Sequence, residues 1–163
     1  MLPQIKHILF ATDFSRNACE AAKHAAGLAL ATGASVHVLH VVEPLSEDAR
    51  FALMAFIQDP KLRHQALENR TQAARAMVAQ REEQFWATLD QEQKAVRERM
   101  GELEVVEGFP PHEILERANG GRYDMLVMGG HEHGISHSFM GDTAKRVLRR
   151  VTIPTLIVPR GHA

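Results

Sequence analysis

Four short runs made mostly of apolar residues, and a fifth in which apolar residues alternate with glutamates, are interspersed with longer stretches in which apolar residues recur every three or four positions. That pattern constrains the fold more than any other feature, because an all-apolar run of strand length must be covered on both faces. The first run, Ile5 to Ala11, is interrupted only by Lys6 and His7 and stops at Thr12-Asp13-Phe14-Ser15. Asp13 or Ser15 can accept backbone N–H bonds as a helix N-cap, and Ala18, Ala21, Ala22, Ala25, Leu28 and Ala29 then follow at helical spacing. Gly33 supplies the stop. The next run, Val36 to Val42, is rich in β-branched residues and bounded by Pro44. Two strands joined by a helix of this length run parallel, with a right-handed crossover.

The second half repeats the plan. After Gly101, Leu103 and Val105 alternate with Glu102 and Glu104 as a third strand, closed by Gly108-Phe109-Pro110-Pro111. A short helix opens at Pro111, since proline is tolerated in a first turn, and ends at Gly120-Gly121. Met125 to Met128 is a fourth strand, Gly129 to His137 a polar loop, Phe139 to Arg150 a helix, and Thr155 to Val158 a fifth strand. The expected fold is α/β: one doubly wound, five-stranded parallel sheet with helices on both faces, in a single domain over residues 1–163.

Residues 46–100 fit this plan least well. Ser46-Glu47-Asp48 starts a short helix that is apolar on every face from Phe51 to Ile57 and stops at Asp59-Pro60, so it must be buried or covered by a partner. Beyond it, Leu67, Ala74, Val78, Phe85, Leu89, Val96 and Met100 are spaced seven and four apart, the 11-residue repeat of a nearly straight amphipathic helix. Unbroken from Leu62 to Met100 it would be ~58 Å long. Either it breaks, or its end projects onto another subunit. Trp86 is the aromatic anchor for such packing, unless its ring simply lies over its own domain.

Composition narrows the function classes. A net charge of -1 gives no field to draw in a nucleic acid or an anionic membrane. The single cysteine, Cys19, excludes an internal disulfide and a cysteine-built metal centre, and suits a reducing compartment. The longest early apolar run is too short for a signal-peptide core, and nothing approaches a membrane span, so the chain reads as cytoplasmic.

In open α/β sheets ligands bind beyond the carboxyl ends of the strands, where the strand order reverses. Four segments then matter: Ala11 to Ser15, Val41 to Pro44, Glu107 to Pro111, and Met128 to Thr143. In the fourth, a glycine-rich turn after a strand runs into a helix start whose N–H groups could face an anion. It is not a Walker loop, because no Gly-Lys-Ser/Thr triplet follows.

The residues in these places resemble a family. Lys6-His7-Ile8-Leu9-Phe10-Ala11-Thr12-Asp13-Phe14-Ser15, Leu39-His40-Val41-Val42-Glu43-Pro44, Asp124-Met125-Leu126-Val127-Met128-Gly129, Gly141-Asp142-Thr143-Ala144-Lys145-Arg146-Val147 and the tail Val151 to Pro159 are similar to the universal stress protein family. The resemblance runs from residue 5 to 159, although residues 46–100 carry no specific motif. It implies a five-stranded α/β fold, a homodimer paired through the last strand, and one of two branches: ATP binders, or members that bind no nucleotide.

The ATP-binding branch carries glycine, two residues, glycine, nine residues, then glycine and a serine or threonine. Gly129 fits the first position, but Glu132 replaces the second glycine, the stretch to Gly141 is one residue short, and Asp142 replaces the hydroxyl residue. A β-carbon at position 132 would obstruct the backbone, and both carboxylates would repel phosphate. Repulsion of about 1 to 4 kcal/mol per close charge pair disfavours a triphosphate unless Lys145, Arg146 or Mg²⁺ compensates. The adenine end is closer to pattern: Asp13 and Val41 fall where family members hold adenine or its ribose, and Gly108 where the third strand meets the sugar. Asp13 also has a plain role as a helix cap.

The candidate nucleotide contacts are therefore Ala11, Thr12, Asp13, Val41, Gly108, Met128, Gly129, His131, Gly141, Asp142 and Thr143. The ligand expected there is ATP or AMP, with AMP or ADP favoured over ATP and Mg²⁺ entering only with nucleotide. His131, His133 and His137 could ligate Zn²⁺ or Ni²⁺, but their spacing matches no standard signature and a solvated loop is the plainer account. Cys19 reads as a small packing residue more readily than a thiolate. Ser136 and Ser138 lack a nucleophile elbow, so no catalytic residue is assigned. The expected protein is a dimeric stress-response binding module with a degenerate adenine-nucleotide cleft. The alternative is an interaction protein that binds no nucleotide.

Overall fold

A computed structural model describes residues 1–87, 97, 100–130 and 140–159. The strands are β1 (His7–Ala11), β2 (Ser35–Val42), β3 (Met100–Glu107), β4 (Met125–Gly129) and β5 (Thr155–Val158). They form one parallel sheet in the order β3-β2-β1-β4-β5. The helices are α1 (Arg16–Thr32), α2 (Glu47–Phe56), α3 (Pro60–Ala87), α4 (Pro110–Ala118) and α5 (Asp142–Leu148).

Strand alternation divides the core into two layers. Ile8 and Phe10 of β1 face α1, whose Ala21, Ala25 and Ala29 are fully buried; small side chains at these positions let the helix lie close against the sheet. Leu9 and Ala11 face the other way, onto Ile114 and Ala118 of α4 and Ala144 and Val147 of α5. Ser15 caps α1, its Oγ accepting from Ala18 N at 3.2 Å, and Gly33 ends it at φ +76°. Asp13 is thus not the cap: its Oδ1 accepts from Ser15 N at 2.9 Å and shapes the turn ahead of the helix.

Three boundaries differ from expectation. The long helix starts at Pro60 itself and does not reach Met100, because Met100 opens β3 by pairing with Val36. Between the pairs Val36/Met100 and Val38/Leu103 the register shifts by one residue, and a Cβ at Gly101, beside this bulge, would lie 3.3 Å from Val36 O. Trp86 is buried within its own chain, edge-on to Phe85 at 5.2 Å between centroids, with the Arg97 guanidinium 5.3 Å from its ring. The last helix covers only Asp142–Leu148; Arg150 N and Val151 N both return to Val147 O and tighten its end. Phe139, its expected start, lies outside the described residues.

Helix α2 has no buried residue, and Phe51, Met54 and Phe56 are exposed, so its apolar side is not covered by the rest of the described chain. The inner face of α3 follows its apolar repeat from Ala74 onward but not at Leu67. Leu67 is exposed, whereas Arg63, Ala66, Arg70, Ala74, Val78 and Phe85 are buried or half-buried.

One ionic network ties β2, β3 and α4 together. Arg117 donates to Glu104 through Nε and Nη2 (3.1 and 2.6 Å to Oε1) and through Nη1 to Glu113 Oε2 (2.9 Å), while His37 Nε2 lies 2.7 Å from Glu104 Oε2. The Arg117 hydrogen bond, with a smaller contribution from His37, lowers the Glu104 pKa from its ordinary 4.5 to about 2. A depressed carboxylate stabilises the fold above its unfolded value, and that stability is lost as pH falls through the folded value. Between about pH 4.5 and 2, wild-type protein should therefore lose stability more steeply than Glu104→Gln in urea titrations. Parallel curves for the two proteins would refute the coupling.

Candidate functional site

The sheet order reverses between β1 and β4: from β1 the chain steps to β2 on one side, and β4 lies on the other. Beyond the carboxyl ends of the strands at this point lies a cleft of about 480 Å³, within the range of sites that enclose a small ligand. Its floor comes from Ala11 and Thr12 after β1, Met128, Gly129 and Gly130 after β4, and Leu39 and Val41 of β2. Pro110 and Ile114 of α4 form one wall; Gly141, Thr143 and Ala144 form another. The charged side chains lining it, among the described residues, are Asp13, Glu43 and Arg81.

Packing restricts the turn after β4 to glycine. A Cβ at Gly129 would come 2.8 Å from the side-chain amide of buried Asn17, and one at Gly130 would come 3.0 Å from Ile157 Cγ2. The turn is tied down from both sides. Gly130 N donates to Val158 O at 2.9 Å, and Gly141 N donates to Gly130 O at 2.6 Å.

The β1 side is equally constrained. Thr12 N donates to Leu39 O at 2.9 Å, His40 Nδ1 donates to Thr12 O at 2.8 Å, and Thr12 Oγ1 accepts from Phe14 N at 3.1 Å. Phe14 adopts φ +57°, a left-handed conformation that costs a non-glycine residue about 1 to 3 kcal/mol and is retained where the surroundings enforce it. Its ring meets the His40 ring edge-on at 5.0 Å. Asp13, bonded to Ser15 N in this turn, also borders the cleft.

Of the eleven residues expected here, Ala11, Thr12, Asp13, Val41, Met128, Gly129, Gly141 and Thr143 line the cleft. Gly108 does not: its N–H is bonded to Val42 O at 3.0 Å, and the Glu113 side chain, held by Arg117, occupies the space a β-carbon would need. Pro110 and Ile114 form that wall instead. Asp142 is exposed at the start of α5 and is not among the lining residues, whereas its neighbours Gly141 and Thr143 are. His131, like Glu132, His133, Ser136, His137 and Ser138, lies outside the described residues. Arg146 lies over the Phe109 ring at 5.5 Å.

Sequence reasoning missed Glu43 and Arg81. Glu43 sat within a segment already marked by the topology, so strand-end position was the available signal. Arg81 belongs to α3, where no local motif flags it.

Cys19 borders a second, more apolar cavity of about 360 Å³ between α1 and the end of α3. Desolvation there pushes its thiol pKa up, the reverse of activation. His112, Glu113 and Glu116 bring one ligand atom each within 4.8 Å of one another, but Glu113 is already paired with Arg117 and groups of this kind are common without an ion. No described helix is long and apolar enough to cross a membrane.

The model of the universal stress protein family matches residues 4–159. Universal stress protein MJ0531 of Methanocaldococcus jannaschii is 28% identical over 156 residues, covering 95% of this chain and 82% of that protein. The solved structure of the hypothetical protein MJ0577, from the same organism, superposes with a TM-score of 0.72 at 22% identity, covering 99% of this chain and 100% of that one. A universal stress protein solved in complex with cAMP superposes with a TM-score of 0.57 at 18% identity, covering 96% and 98%. With the family model spanning nearly the whole chain, this chain belongs to the universal stress protein family.

Proposed function

We propose that this protein is a stress-response binding module that takes an adenine nucleotide into the cleft between β1 and β4. The observation that carries the reading is the cleft itself: a ligand-sized space at the reversal of the strand order, floored by Gly129 and Gly130 and bordered by Asp13. A related protein of the same fold was solved with cAMP bound, which supports a nucleotide as the ligand class. Asp13 would accept from ribose hydroxyls, and the apolar surfaces of Leu39, Val41 and Ile114 suit a purine face. With Asp13 and Glu43 on the walls, extra phosphate charge is disfavoured, so a mono- or diphosphate is the better fit.

The protein acts by binding rather than by turnover, and it works as a homodimer joined through β5. Hydrolysis needs cations to stabilise charge developing on the phosphoryl oxygens, and two of the three charged side chains lining the described cleft are carboxylates.

A thermal-shift panel of ATP, ADP, AMP and cyclic AMP, each with and without Mg²⁺, tests the reading. AMP or ADP should raise the melting temperature more than ATP, and a ligand at 100 times its Kd adds about 2.7 kcal/mol. Asp13→Ala should reduce the shift. No response to any nucleotide at millimolar concentration would leave an interaction module with no nucleotide ligand.

A further inference from the structure

Helix α3 lies outside the segments that strand-end topology marks as ligand-binding, yet it contributes a charged residue to the cleft. Its inner face explains how. Along that face the buried or half-buried positions include Arg63, Arg70, Ala74 and Val78, so arginine stems occupy places an apolar stripe would ordinarily take. Arg70 shows what this arrangement does: its Nη2 donates to Glu43 O at 3.0 Å and fastens the helix to the chain just past the carboxyl end of β2. Arg81 follows 11 residues later, three turns along nearly the same face, and reaches the cleft.

Arg81 is the cation among the three charged side chains that line the cleft, and it makes no hydrogen bond or ion pair with another described residue. Asp13 and Glu43 line the same space without being bonded to it. A guanidinium lining a concave site, with no described carboxylate bonded to it, is available to an anionic group that arrives with a ligand.

We propose that Arg81 is the anion-recognition residue of the cleft, pairing with the phosphate of a nucleotide whose ribose is held on the Asp13 side. This rests on the nucleotide reading above and assigns its charge selectivity to α3. Arg81 also borders the second cavity, together with Phe85 and the chain's single tryptophan, Trp86. Drawing the guanidinium toward a phosphate therefore changes the surroundings of Trp86, and the binding event has an optical signal.

Calorimetric titration of wild type, Arg81→Gln and Arg81→Lys with AMP and with adenosine tests the assignment. Wild type should bind AMP at least tenfold more tightly than adenosine. Arg81→Gln should lose about tenfold in AMP affinity, about 1.4 kcal/mol, and keep its adenosine affinity within about twofold, with Arg81→Lys in between. AMP, but not adenosine, should change Trp86 fluorescence in wild type, and Arg81→Gln should abolish that change. Because Arg81 is exposed, the melting temperature of the free variant should match wild type. If wild type binds both ligands and Arg81→Gln weakens both equally or neither, the role of Arg81 is overturned and the cleft reading stands. If wild type binds neither, the cleft reading falls and this assignment with it.

Discussion

Replacing Leu126 with alanine is expected to lower the unfolding free energy by about 2 to 5 kcal/mol, the cost of deleting a fully enclosed leucine. Leu126 has no solvent exposure. It lies on β4 opposite Leu9 of β1 and Thr155 of β5, and its side chain belongs to the layer that joins the sheet to Ile114 and Ala118 of α4 and Val147 of α5. These partners belong to two helices and to the neighbouring strands, so the gap cannot close without moving one of those elements. Urea denaturation followed by Trp86 fluorescence measures the effect. Leu67→Ala on α3, where the leucine is 40% exposed, is the control and should stay within about 0.5 kcal/mol. A loss below about 1 kcal/mol for Leu126→Ala would mean that the α4 and α5 layer is loosely packed.

The contrast between Leu126 and Leu67 also explains what could be read from the sequence. Strands β1, β2, β4 and β5 were legible because each is a run that only a doubly covered sheet can bury, and each ends at a turn residue or proline. The helix after β1 was legible because its alanines keep a 3.6-residue period. Residues 60–100 misled because an 11-residue apolar repeat and an arginine-bearing inner face are superimposed on one helix. The repeat includes Met100, but pairing with Val36 in the sheet takes that residue out of the helix. A tertiary hydrogen-bonding demand overrode a local period.

The site was legible in the same unequal way. Ala11, Thr12, Asp13, Val41, Met128 and Gly129 were found because topology puts ligand sites at strand ends, and strand ends are marked by breaks in apolar runs. Gly108 has the same kind of address, but β3 is the far edge strand and the side chain of Glu113 fills the space beside it. Arg81 was missed because its place at the cleft depends on where a 28-residue helix packs, and nothing within a few residues of it encodes that packing.

Converting Thr155 to proline should dissociate the proposed homodimer while leaving the subunit folded. Strand β5 ends the sheet, with β4 on one side and no described strand on the other. Its two edges can be told apart: Leu126 N donates to Pro154 O and Gly130 N donates to Val158 O, so the even-numbered residues of β5 turn their backbone groups toward β4. In a strand the intervening residues, Thr155 and Ile157, turn theirs outward. An outward row of unpaired N–H and C=O groups beside partly buried Leu156 is an invitation to a second copy, and a twofold axis would pair the two β5 strands antiparallel. Proline at 155 removes an outward N–H and no bond to β4, which is why an edge strand tolerates it where a central strand would not. Twofold symmetry repeats the loss in both subunits. Two hydrogen bonds at about 0.5 to 1.5 kcal/mol each, plus the pyrrolidine rings crowding the partner strand, give about 2 to 4 kcal/mol, or roughly 30- to 1000-fold in Kd. Leu156→Lys should weaken the dimer in the same direction by placing a charge at the interface. Sedimentation equilibrium at micromolar concentration would read the change, with circular dichroism confirming the fold. A monomeric wild type, or a Thr155→Pro dimer as tight as wild type, would show that β5 is not the joining edge.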